Sequence, residues 1–246
     1  MKKQEIAISV NDLHVYYRDM NRFSLKKGGL KARGSGKIFK AVKGVSFEVP
    51  KGQILGICGR NGSGKSTLLR AISGIFSADK GSINLHGNSI SLLSIGVGFQ
   101  KQLTGYENIF LSGMLLGYSK EQIEEKVKDI IEFSELGDFI YKPVRSYSSG
   151  MYSKLAFSIT AILETDIMLI DEVLSVGDIH FKEKSYNKMK ELISDDKRTV
   201  VIVSHNSKTI EELCDKVIWL HDGLIKDEGA PKIIMEKYET FMRSEG

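Results

Sequence analysis

The chain has 246 residues, 41% of them hydrophobic and 27% charged, with a formal net charge of +4. That supports one globular domain with a sizeable core and excludes a disordered polymer. It also excludes a bilayer span, since no apolar run nears the ~20 residues a spanning helix needs.

The opening "MKKQEIAISVND" has no apolar stretch long enough for a signal peptide. Residues 5–17, "EIAISVNDLHVYY", alternate as an antiparallel strand region does. The next stretch, 22–43, carries Arg22, Lys26, Lys27, Lys31, Arg33, Lys37, Lys40 and Lys43 with no acid, and reads as a basic insertion or loop, centred on about 19–40. Strand patterns resume at 41–58, broken by a Pro-Lys-Gly turn at Pro50, Lys51 and Gly52. A helix is expected over 65–76. Residues 119–136 form an amphipathic helix, with Ile123, Val127, Ile130 and Ile131 on one face and Ser119 and Gln122 at capping-box spacing. The apolar runs 167–171 and 199–204 read as buried strands alternating with helices, hence a mostly parallel sheet in an α/β domain. Cys58 and Cys214 give neither a metal spacing nor a disulfide framework, in keeping with a cytosolic location.

Residues 59–66, "GRNGSGKS", fit G-x-x-x-x-G-K-[ST] between a strand and a helix. Glycines there let successive N–H groups point inward around phosphate oxygens, and the helix start adds its positive end. Gly59, Arg60, Asn61, Gly62, Ser63, Gly64, Lys65, Ser66 and Thr67 are therefore the expected phosphate cradle, Lys65 reaching the β- and γ-phosphates and Ser66 holding Mg²⁺. The strand "IMLIDE" ends in Asp171, a second expected magnesium contact, and Glu172, placed to orient or deprotonate an attacking water. His205 closes "VIVSH" at the sheet edge where ligands bind in such folds, and is expected to contact the γ-phosphate. Further along the chain from the glycine loop, "YSSGM" at 147–151 opens a helix whose Leu155, Ala156, Ile159 and Ile162 face a core. Ser148, Ser149 and Gly150 form its start, a second anion site suited to the nucleotide of a neighbouring subunit.

In that order, these motifs resemble the nucleotide-binding subunit of ABC transporters over nearly the whole chain. "YSSGM" stands at the family's LSGGQ signature, keeping Ser148 and Gly150, and "SVGD" at 175–178, ending in Asp178, looks like the D-loop. The resemblance implies a P-loop ATPase fold over 1–246, with a mostly parallel core sheet, an antiparallel β subdomain and a helical subdomain at about 103–163. It implies ATP and Mg²⁺ as cofactors and His205 as the switch histidine. It also implies a Q-loop glutamine, Gln100 or Gln102, with Gln100 a further magnesium contact. An aromatic should stack on adenine; Tyr17 is expected, with Tyr16 adjacent. "QLTGYENI", "DEVLSVGD" and the long insertion resemble the polysaccharide-exporter branch, which moves teichoic acid, O-antigen or related lipid-linked glycans. That implies a homodimer on the cytoplasmic face of the membrane, bound to a separate transmembrane permease through which the glycan passes. With the chain ending at Gly246, no separate glycan-binding domain is expected. The alternatives are an ABC ATPase of another transport class, or a soluble one acting on nucleic acid or ribosomes; nucleic acid is not expected, because no aromatic-rich RNA motif is present.

Overall fold

The structure is a computed structural model describing residues 5–18, 38–93, 98–171, 178–194 and 198–244. The described elements follow in order: β1 (Ile6–Arg18), β2 (Ile38–Pro50), β3 (Ile54–Cys58), α1 (Lys65–Ile72), β4 (Lys80–Asn84), β5 (Ile90–Leu93), α2 (Gly105–Leu115), α3 (Lys120–Ser134), α4 (Ser149–Ile162), β6 (Ile167–Asp171), α5 (Ile179–Ile193), β7 (Thr199–Val203), α6 (Ser207–Leu213), β8 (Lys216–His221), β9 (Leu224–Gly229) and α7 (Pro231–Ser244).

Two sheets organise the chain. A six-stranded sheet runs β5-β6-β7-β3-β8-β9, and a three-stranded sheet runs β2-β1-β4. All pairs in the larger sheet are parallel except β8 with β9, while β1 pairs antiparallel with both β2 and β4. The central strands β3, β6 and β7 are almost entirely buried, which is why their sequences are unbroken apolar runs. One core cluster joins α1 and the antiparallel sheet to one face of the larger sheet through Val10, Leu13, Leu55, Ile57, Leu68 and Leu69. The opposite face packs on α4 and α5 through Phe157, Phe181 and Met189. Helices α2, α3 and α4 share their own cluster, built on Ile109, Ile123, Ile130, Leu155 and Ile159.

Local signals hold where they depend on neighbours in sequence. At the start of α3, Ser119 Oγ accepts from Gln122 N at 3.3 Å and Gln122 Oε1 accepts from Ser119 N at 2.8 Å, a complete capping box. Two boundaries differ from expectation. The first helix ends at Ile72 rather than Phe76, because Gly74 adopts φ +76 and the N–H groups of Ile75 and Phe76 fold back onto Arg70 O. The basic stretch does not stay a loop to Lys43: strand β2 begins at Ile38 and includes Lys40 and Lys43, while 19–37 lie outside the described residues.

Candidate functional site

Parallel registry builds the site. Ile57 of β3 pairs with Val203 of β7, and Val203 pairs with Asp171 of β6. The three strands therefore end at the same level, and the residues that follow or terminate them, Gly59, Asp171 and His205, emerge on one edge.

The loop 59–64 is shaped by close backbone approach. A Cβ on Gly59 would lie 2.2 Å from Leu220 O, and one on Gly64 would lie 2.4 Å from Ala41 O; both residues also have positive φ, +150 and +102. No side chain with a β-carbon fits either place. Gly64 is the N-cap of α1 and supplies no side-chain cap, so no side chain of the cap residue takes up the first-turn amides of Lys65, Ser66 and Thr67. Inside the loop, Ser63 Oγ is buried and has no hydrogen-bond partner among the described residues. Lys65 is 6% exposed, its ammonium donating to Gly59 O at 2.7 Å and Arg60 O at 3.1 Å. Arg60 and Asn61 are exposed on the loop's outer side, and a Cβ on Gly62 would meet nothing within 4 Å. A helix start with no side-chain cap from Gly64, the buried Ser63 hydroxyl and a held ammonium fit a phosphate chain.

Ser66 Oγ donates to Asp171 Oδ1 at 3.3 Å across 105 residues of sequence. Among the described residues no group of three or more His, Cys, Asp or Glu could hold a metal by itself. One hydroxyl beside one carboxylate fits Mg²⁺, which keeps few protein ligands and takes the rest from phosphate and water. Glu172, the expected water activator, lies outside the described residues. His205 is exposed at the end of β7 and engaged in an interaction.

Tyr16 and Tyr17 point different ways. Tyr17 OH lies 3.0 Å from Thr67 Oγ1 on α1, and its ring meets Phe76 edge-on with centroids 5.9 Å apart. Tyr16 instead reaches His14 Nδ1 at 3.1 Å, under the Lys40 ammonium. Of the two, Tyr17 is the one brought to the first turn of α1, at Thr67.

Gln100 and Gln102 are both exposed, and neither side chain bonds to Ser66 or Asp171 among the described residues. The backbone of Gln100 is fixed by a residue the motif reading passed over. Asn108 is fully buried; its Oδ1 accepts from Gln100 N at 2.8 Å, and its Nδ2 donates to Gln100 O at 3.1 Å and Thr104 O at 2.8 Å. The accompanying signal was legible: Thr104 and Glu107 form a second capping box at the start of α2.

Ser148 caps α4, its Oγ accepting from Met151 N at 3.2 Å. Ser149 and Gly150 follow in the first turn, and Leu155, Ala156 and Ile159 are buried as expected. A Cβ on Gly150 would touch only Ser148 Oγ, at 3.8 Å. Among the described residues nothing requires glycine there, although glycine weakens a helix. Asp178 caps α5 through Phe181 N at 3.0 Å and pairs with Lys154 of α4 at 2.7 Å. The Lys154 hydrogen bond, with that amide, pulls the Asp178 carboxyl down to about 2.

Residues 42–175 match the ABC transporter family. An O-antigen export system ATP-binding protein of Klebsiella pneumoniae is 42% identical over 207 residues, 84% of each chain. A teichoic acids export ATP-binding protein of Staphylococcus epidermidis is 39% identical over 240 residues, 97% of this chain and 90% of the relative. Some relatives are much longer: the chain spans 38% of a teichoic acids export ATP-binding protein of Bacillus anthracis, at 43% identity over 85% of its own length. Among solved structures, a dimeric ATP-binding cassette in a post-hydrolysis state with ADP and Pi superposes with a TM-score of 0.69 at 20% identity, covering 91% of this chain and 98% of that one. An ATP-binding subunit of an ABC transporter gives 0.71 at 22% identity, covering 95% and 93%. These two likenesses establish the fold.

Proposed function

The chain belongs to the ABC transporter family, and we propose that it is the ATP-hydrolysing subunit of an exporter of lipid-linked polysaccharide, of the O-antigen or teichoic acid type. It works as a homodimer on the cytoplasmic face of the membrane, against a separate transmembrane permease. No helix among the described residues is long and apolar enough to cross a membrane, which agrees with the membrane path belonging to another chain. The observation that carries the export reading is the match, over most of both chains, to proteins named for O-antigen and teichoic acid export.

In this reading the loop amides and Lys65 hold the phosphates, and Tyr17 holds the adenine. Ser66 and Asp171 would hold Mg²⁺, which would supply charge neutralisation to the phosphates. Gln100, its backbone held by the Asn108 side chain, adds a contact on the same side, with Gln102 as its alternate. Glu172 orients or deprotonates the attacking water, and His205 contacts the γ-phosphate. Ser148, Ser149 and Gly150 address the partner's nucleotide; the open space at Gly150 among the described residues supports this, since it leaves room for an external group. Hydrolysis then separates the two subunits. Depleting the chain in its host should remove the surface polymer while lipid-linked glycan accumulates on the cytoplasmic side. Undiminished surface polymer would contradict the export reading.

A further inference from the structure

Glu135 follows the last residue of α3 in a left-handed conformation, φ 56 and ψ 27. A residue with a β-carbon is strained there in a way glycine is not. Its carboxylate is placed among two lysines and a histidine from two other helices. Oε1 lies 2.8 Å from Lys184 Nζ and 3.6 Å from His180 Nδ1, both on α5, and Oε2 lies 3.5 Å from Lys154 Nζ on α4. The Lys184 hydrogen bond leads in holding the Glu135 carboxyl below the usual range, so it is ionised at neutral pH.

Lys154 is shared. Its side chain is 13% exposed, and its ammonium sits between Glu135 and Asp178, over the ring of Phe181 at 4.9 Å from the centroid. Asp178 in turn has both oxygens in use, Oδ2 with Lys154 and Oδ1 with the amide of Phe181. These contacts form one line, Glu135 to Lys154 to Asp178, tying the end of α3 and the first turns of α4 to the start of α5. A cleft of about 220 Å³ beside this line is also lined by Ser148 and Gly150. The connection 172–177 leaves Asp171, which Ser66 engages, and arrives at Asp178.

We propose that Glu135 is a positioning residue: through Lys154 it fixes Asp178, and so sets the start of α5 against the signature helix. From this strained position the one carboxylate reaches both lysines. The inference rests on the ATPase reading above for its effect on turnover, but its effect on the start of α5 stands apart from that reading.

The test uses the full chain with Glu135→Gly, Glu135→Gln and Glu135→Asp. Glu135→Gly relieves the backbone while removing the carboxylate, so lost function cannot be put down to added strain. In nucleotide-free protein, exchange of the Phe181 amide should rise at least about tenfold in the Gly and Gln variants. In the assembled transporter, kcat should fall about 10- to 100-fold, as expected for misplaced groups, with KM for ATP within about twofold of wild type. Glu135→Asp should recover most of the loss in both readouts. Unchanged Phe181 exchange would overturn the proposal whether or not the wild type hydrolyses ATP. Unchanged turnover in the Gly and Gln variants, a parallel rise in KM, or failure of Asp to rescue would also overturn it. A wild type without ATPase activity would instead refute the functional reading, and Phe181 exchange would still decide the positioning.

Discussion

Ser66 Oγ and Asp171 Oδ1 lie 3.3 Å apart, one on the first turn of α1 and the other at the end of β6. The contact exists because β6, β7 and β3 end in register and α1 starts where β3 stops. A hydroxyl and a carboxylate so placed can share one magnesium ion. Ser66→Ala and Asp171→Asn should each lower Mg²⁺-dependent turnover by at least about 10²-fold, and the double variant should lose little more than either alone, because the two groups act as one unit. Steady-state ATPase rates across a magnesium series check this; losses that multiply would separate the two residues.

The tyrosine pair gives a second prediction. Tyr17 is hydrogen-bonded to Thr67 and Tyr16 is not. Tyr17→Ala should weaken ATP binding by about 1–3 kcal/mol, the worth of an aromatic stacked on a base, and should leave tripolyphosphate binding unchanged. Tyr16→Ala should change neither. Titration calorimetry with both ligands decides the assignment.

Gly150 has room for a side chain within its own subunit. Gly150→Asp should therefore leave the monomer's thermal midpoint nearly unchanged while abolishing ATP-dependent dimerisation, measured by sedimentation in a Glu172→Gln background. Ser148→Ala should behave oppositely in part, costing about 1 kcal/mol of monomer stability through the lost cap. A dimer that survives Gly150→Asp would remove the signature role from this stretch.

Much of this was legible from sequence where the physics is local. The glycine loop, the Ser119 capping box and the helix start at Ser148 each depend on residues within a few positions of one another. The Tyr16 and Tyr17 choice was not legible, because alternation cannot be counted through β1: its register shifts between Val10 and Leu13, around Asp12 with φ 43, and again before Tyr16. Asn108 and Glu135 were missed for another reason. Their importance comes from partners brought together by the fold, the backbone of Gln100 for one and Lys154 and Lys184 for the other. The helix end at Ile72 could have been read from Gly74, which supplies the left-handed residue that stops α1.

Asp178 also predicts a pH signature. Its folded pKa, about 2, lies below the ordinary value of 3.8. A carboxylate with a depressed pKa contributes stability that is fully present above the unfolded value and is lost as pH falls through the folded one. Asp178→Asn keeps the acceptor that caps α5 and removes the charge that Lys154 engages. The difference in thermal midpoint between wild type and this variant should be constant from pH 5 to pH 8 and should shrink as pH falls from about 4 toward about 2. A difference that persists unchanged through that acid range would mean the Lys154 pair contributes nothing.

The central claim is that phosphate held by this loop drives export. Lys65 is buried at the loop, donating to Gly59 O and Arg60 O, and Lys65→Ala removes its charge without touching the core clusters. The most direct measurement is surface polysaccharide in a host depleted of this protein and carrying either wild type or Lys65→Ala as the only source. The account predicts full surface polymer with wild type, and with Lys65→Ala a protein present at normal levels but polymer reduced to that of the depleted strain. Normal surface polymer supported by Lys65→Ala alone would contradict it.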